Sequence, residues 1–111
     1  MRIKDEILKN KNHFLLLCKN HNVKYLYAFG SAVSDKFDDK ASDLDFVVEI
    51  ESKDPIERGE NLISLWDNFE TFFNRRVDLL TDASIRNPFL RKNIDSSKIL
   101  IYDGSRQKVL I

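Results

Sequence analysis

Apolar positions recur along this chain with two periods, and the switches between them mark its elements. From Ile3 to Lys19 the spacing is helical. Ile3, Ile7, Phe14 and Cys18 share one face, which Leu15 and Leu17 widen. Asn20-His21-Asn22 closes that helix. Val23 to Phe29 is aromatic and β-branched, the composition of a strand. Alternation puts Val23, Tyr25, Tyr27 and Phe29 on one face and Leu26 and Ala28 on the other. Both faces are apolar, which predicts a central strand.

A second strand begins at Asp43 or Leu44 and runs to Glu51. Leu44, Phe46, Val48 and Ile50 face the core, and Asp43, Asp45, Val47, Glu49 and Glu51 share the other face. Glu49 and Glu51 read as solvent-facing. Asp54-Pro55-Ile56-Glu57 is a helix start: an acidic cap, a proline suited to the first turn, and a glutamate placed for a capping box. That helix extends to about Phe73, with Ile56, Leu62, Ile63, Trp66, Phe69 and Phe73 as its apolar stripe. Residues 75–81 form a third strand. Asn87-Pro88 opens a short helix to about Ile94, and Lys98 to Tyr102 forms a fourth strand at a sheet edge. Gly104 ends it. The expectation is a single domain over residues 1–104, followed by a C-terminal tail at 105–111.

Composition narrows the class. A length of 111 residues fits one domain, and an apolar fraction of 42% can build one core. Eighteen basic residues balance eighteen acidic ones, so direct nucleic-acid binding by bulk charge is not indicated. A single cysteine, Cys18, excludes an internal disulfide. It reads as a core residue, because no base stands beside it. The charged first eleven residues lack the pattern of a secretion signal. The apolar run Phe14 to Cys18 is far short of a membrane span. These features make the cytoplasm the expected location. His13 and His21 lie eight apart, too far for a metal pair one helical turn apart, and read as exposed or capping residues.

The candidate chemistry lies between the first two strands. Gly30-Ser31 follows the first strand, and Asp43-Leu44-Asp45 opens the second. Gly30 permits a sharp turn and close approach of a bulky anion. Ser31 offers a hydroxyl and an amide at the start of a short helical turn, where phosphate is attracted. Asp43 and Asp45 are two apart on a strand, so both leave one face, roughly 6–7 Å apart at the backbone. Two carboxylates there repel unless a cation lies between them, and hard oxygen ligands suit Mg²⁺ that bridges to substrate phosphates. Asp78 is the odd residue of the third strand: an acid amid Val77, Leu79 and Leu80 needs a cation or water. The intervening loop holds Asp35, Asp38 and Asp39 but lacks the spacing and glycine of a calcium loop, so it reads as solvated.

These residues resemble a known family. Phe29-Gly30-Ser31, Asp43-Leu44-Asp45-Phe46 and Val77-Asp78-Leu79-Leu80, in that order and spacing, are similar to the motifs of DNA polymerase beta-like nucleotidyltransferases. The closest likeness is to the minimal nucleotidyltransferases often paired with HEPN-domain proteins, and it runs from the first helix to Ile101-Tyr102. The resemblance implies an α/β (α+β) fold, a small mixed sheet of about four strands with flanking helices. It implies transfer of a nucleoside monophosphate, AMP from ATP or another triphosphate, with Mg²⁺ in a two-metal site. Asp43, Asp45 and Asp78 would be catalytic and metal-binding, with Asp78 near the attacking hydroxyl, and Gly30 and Ser31 would bind nucleotide. It further implies a separate helical, HEPN-like partner as acceptor or platform, since 111 residues leave no room for an acceptor domain. Many members carry an arginine after the Gly-Ser pair and a glycine soon after; here the residues are Ala32-Val33-Ser34, with Lys36 or Lys40 as the candidate substitute for the missing charge.

Two other readings compete. A phosphoacceptor receiver domain also gathers acids at strand ends but needs repeated βα units and a late lysine, for which this chain has too few elements. A non-catalytic module, an antitoxin that neutralises a helical partner by binding alone, accounts for Ala32 but leaves the three aspartates unexplained.

Overall fold

The computed structural model describes residues 2–33 and 43–111. The loop acids Asp35, Asp38 and Asp39 and the lysines Lys36 and Lys40 lie outside the described residues. The first helical stretch is two helices, α1 (Arg2–Lys9) and α2 (Lys11–Asn20), rather than the one expected. Asn10 leaves the helical region with φ −133° and ψ 48° and accepts the first hydrogen bond of α2 from Phe14 N. Asparagine competes with the helix for backbone hydrogen bonds, which suits it to such a junction. His21 is the C-cap of α2; its Nδ1 bonds Leu17 O and its Nε2 bonds Ser64 Oγ, tying α2 to the long helix.

Strands β1 (Val23–Phe29), β2 (Leu44–Ile50), β3 (Val77–Thr81), β4 (Ile99–Asp103) and β5 (Lys108–Val109) form one mixed sheet in the order β3-β2-β1-β4-β5. Among the described residues, only β2 and β3 are parallel, joined by α3 (Pro55–Phe73), because a parallel pair needs a crossover. The central position of β1 is as predicted. Among the described residues the sheet has five strands, one more than expected. Within residues 105–111, β5 pairs with β4, and Val109 enters the core. This makes β5 the edge and moves β4 inside. Asp103 accepts from Ser105 N and Oγ to shape the turn, and Gly104 N donates to Lys24 O at 2.7 Å. A Cβ at Gly104 would lie 2.3 Å from Val23 O, so only glycine lets this turn lie against β1.

One face of the sheet carries the main core. Leu44, Phe46, Val48 and Ile50 of β2 meet Phe14, Leu17 and Cys18 of α2 and Leu65, Phe69 and Phe73 of α3. Phe14 stacks on Phe69, and Phe46 touches Phe69 and Phe73. Burial pushes the Cys18 thiol well above its ordinary range, which fits a core residue rather than a nucleophile. Two expectations from simple periodicity fail. Val23 joins the core face with Leu26 and Ala28, because the register between Val23 and Tyr25 is irregular. On α3, Ile56 and Ile63 are each 71% exposed, and Leu65 takes the core position instead.

The other face has a smaller cluster of Phe29, Val47, Ile85 and Ile94, lidded by α4 (Pro88–Ser97). Asn87 Oδ1 accepts from Phe89 N and Leu90 N to cap α4. Arg91 Nη1 donates to Asp82 Oδ1, and Nη2 donates to the carbonyls of Asp82 and Ile85. These bonds fix the start of α4 after β3, and Ile94 further along the helix packs with Phe29 and Val47.

Candidate active site

Three backbone facts assemble the site. Phe29 pairs with Asp45 across the antiparallel β1–β2 ladder, so the chain leaving β1 passes beside Asp45. Asp45 pairs with Asp78 across the parallel β2–β3 ladder, which sets both side chains on one face. Gly30 then turns with φ +64° into a 3-10 turn over Gly30–Val33. Asp43 sits just before β2, two residues from Asp45. The sheet therefore brings Gly30, Asp43, Asp45 and Asp78 close to one another. Ser31 shares the 3-10 turn through its backbone.

The packing at Gly30 is close. A Cβ there would stand 2.8 Å from Asp45 Oδ2. No real side chain tolerates that distance, so the carboxylate occupies the space that glycine leaves open. Gly30→Ala is expected to cost roughly 1–2 kcal/mol from the left-handed backbone alone, and to push the Asp45 carboxylate away from Asp78. Chemical unfolding would read the first effect, and loss of Mg²⁺-dependent triphosphate binding the second.

Electrostatics mark Asp45 as the strained member. Burial pushes its carboxyl up to about 6, helped by the Asp78 charge, a hydrogen bond with Asp78 and the Asp43 charge. Asp78 is exposed, while Asp43 and Asp45 are partly buried. A half-buried carboxyl whose proton affinity is raised by burial and by neighbouring acids is common at sites that handle charge.

Among the described residues, no three His, Cys, Asp or Glu side chains enclose a cation by themselves. The donor set nonetheless fits Mg²⁺. That ion takes one or two carboxylates and completes its shell with water and substrate phosphates rather than with an all-protein cage. A hard cation would also relieve the repulsion that raises Asp45.

Ala32 is buried in the main core, with 2% of its surface exposed. The position at which the resemblance leads us to expect an arginine thus supplies no charge here. One feature of the site was not read from the sequence. Trp66 Nε1 donates to Val77 O at 2.5 Å, and Val77 N donates to Glu70 Oε2 at 3.1 Å, immediately before Asp78. The signal was an indole and an acid four apart on α3, which an apolar stripe conceals.

The family model described as polymerase beta, nucleotidyltransferase matches residues 11–107. The chain belongs to this nucleotidyltransferase family. Within it, the chain is 31% identical over 96 residues to MJ1379 of Methanocaldococcus jannaschii, named as a candidate protein adenylyltransferase; the match covers 86% of this chain and 92% of that one. A structure described as a candidate minimal nucleotidyltransferase is similar with a TM-score of 0.58 at 25% identity, covering 85% of this chain and 92% of that one. The fold is also similar to that of a chain in the complex of a tri-AMPylated Shewanella oneidensis HEPN toxin with its MNT antitoxin, with a TM-score of 0.52 at 20% identity, covering 89% and 74%. The nucleotidyltransferase fold and activity class expected from the sequence are therefore established. Among the described residues, no helix is long and apolar enough to cross a membrane.

Proposed function

We propose that this nucleotidyltransferase moves AMP from ATP to a hydroxyl of a separate protein in a Mg²⁺-dependent reaction, in which the hydroxyl oxygen bonds the α-phosphorus, the bond from the α-phosphorus to the β-phosphate oxygen breaks and pyrophosphate leaves, with Asp43, Asp45 and Asp78 as the acting residues. The observation that carries the reading is the Asp45–Asp78 pair, in register on parallel strands and pressed against Gly30. Asp43 and Asp45 would hold the cation, with Asp78 completing a two-metal site. Bound there, Mg²⁺ supplies charge stabilisation to the attacking and leaving oxygens of an in-line displacement. The chain's own residues position. Gly30 and Ser31 give the triphosphate a close backbone approach at the turn. Asp78, the exposed member, lies where it can accept the proton of an incoming hydroxyl. The protein acceptor rests on the name of the M. jannaschii relative, and a helical HEPN-like partner rests on the resemblance to minimal nucleotidyltransferases. We place the reaction in the cytoplasm, where a buried free Cys18 and ATP are both at home.

Buried Ala32 favours a second reading, a module that neutralises its helical partner by binding alone. Incubation with α-labelled ATP, Mg²⁺ and the co-purified partner separates the two. The proposal expects label on a protein acceptor, lost on chelation. A stable, neutralised complex with no labelled protein would overturn it in favour of the binding module.

A further inference from the structure

Strand β3 is an edge strand, and it carries Asp78. Leu44 N donates to Arg76 O at 3.1 Å, so in this parallel ladder the N–H and C=O of Val77 point away from β2. Those groups would otherwise face water, and an edge strand so exposed frays and slips easily. Here α3 takes both, through Trp66 on the carbonyl and Glu70 on the amide. The two side chains are four apart on α3 and so share a face. Glu70 also accepts, at its backbone oxygen, from Asn74 N and Arg75 N, which close the helix in a left-handed turn. The whole passage from α3 into β3 is thereby hung on one residue. Val77 itself is buried in the core, with 3% of its surface exposed.

We propose that Trp66 and Glu70 are positioning residues that fix the register of β3 and so hold the Asp78 carboxylate opposite Asp45. A slip of one residue would turn Asp78 into the apolar core face and bring Val77 or Leu79 to the site. Fraying would let the exposed Asp78 swing away from its partner. Trp66 acts through its N–H rather than its ring alone, and Glu70 through acceptance rather than charge. The inference rests on the reading of Asp45 and Asp78 as the transfer site.

The test compares Trp66→Phe, which keeps a ring but loses the donor, with Glu70→Leu, which loses the acceptor, and Glu70→Gln, which keeps one. Each is measured for single-turnover transfer to the partner protein, ATP affinity, melting temperature and amide exchange. The expected result is a transfer rate lower by about tenfold or more in Trp66→Phe and Glu70→Leu, with ATP affinity within about twofold, and recovery of most of the rate in Glu70→Gln. In an Asp78→Asn background, Glu70→Leu should cause little further loss, because both changes act through one group. A merely structural role would lower the melting temperature while leaving the rate per folded molecule unchanged, and that result overturns the proposal. So does a full second loss on top of Asp78→Asn. If the wild type transfers nothing to any acceptor, the transferase reading fails separately, and exchange still decides the clamp. The Val77 and Asp78 amides should then exchange about tenfold faster or more in Glu70→Leu, with the Leu26 amide of β1 unaffected. Unchanged protection at Val77 and Asp78 overturns it.

Discussion

Asp45→Asn is expected to abolish nucleotidyl transfer and yet to melt at a higher temperature than the wild type. The two effects share one cause. Asp45 is partly withdrawn from water and, to a lesser extent, crowded by Asp78 and Asp43, which raises its pKa from 3.8 to about 6. An acid whose folded pKa lies above its unfolded value binds its proton more tightly when folded. Stability therefore falls as pH rises through the window between these two values, and the cost is fully present above it. A difference of about two in pKa corresponds to about 3 kcal/mol. Solvent screening of a partly exposed carboxyl reduces this to roughly 1–2 kcal/mol. Asparagine removes the charge, so the variant should be more stable by that amount at pH 7–8, roughly 4–8 °C per kcal/mol in a domain of this size. The advantage should vanish below about pH 4, where the wild-type carboxyl is protonated in both states. Melting curves across pH without metal measure this. Calorimetry with ATP and Mg²⁺ measures the other side: tight binding by the wild type and at least a tenfold loss in the variant, about 1.4 kcal/mol or more. Equal binding would remove Asp45 from the metal assignment.

Asp78→Asn should slow transfer by about a hundredfold or more, roughly 3 kcal/mol of transition-state stabilisation, while ATP affinity changes little. Asp78 sits on the edge strand and is exposed, so in the proposed reaction it is the carboxylate open to an incoming acceptor, whereas Asp45 lies against the Gly30 turn. Asparagine keeps the size and polarity of the side chain but loses the charge and the basicity needed to accept a proton. A single-turnover assay with labelled ATP, run beside an equilibrium binding assay, separates rate from affinity. The variant should also lower the pKa of Asp45, since the neighbouring charge that helps to raise it is gone. Transfer at the wild-type rate would make Asp78 a structural residue and end the three-carboxylate mechanism.

Much of this protein was legible in its sequence. The period-2 runs at Val23–Phe29 and Leu44–Ile50 became β1 and β2, and the capped start at Asp54-Pro55 became α3. Gly30, Asp43, Asp45 and Asp78 could be named as one set because each lies at a strand end or in a strand interior where its type is out of place. Local pattern carries that information: alternation, caps and glycine turns depend on near neighbours in the chain.

Other features depended on contacts between distant residues. Nothing local to residues 105–111 says that Lys108 and Val109 will find β4, and the fit of Gly104 against Val23 O and Lys24 O exists only once β1 lies beside that turn. The exposure of Ile56 and Ile63 and the burial of Leu65 were decided by which face of α3 the sheet covers. The site follows the same division. The sequence by itself determined which aspartates stand on one face of their strands. Only the tertiary structure set Asp45 opposite Asp78 in parallel register, pressed it against Gly30, and engaged Val77 with Trp66 and Glu70. Register and proximity between elements are properties of the packed sheet, because the energy that selects them is released only when the apolar faces of helices and strands meet.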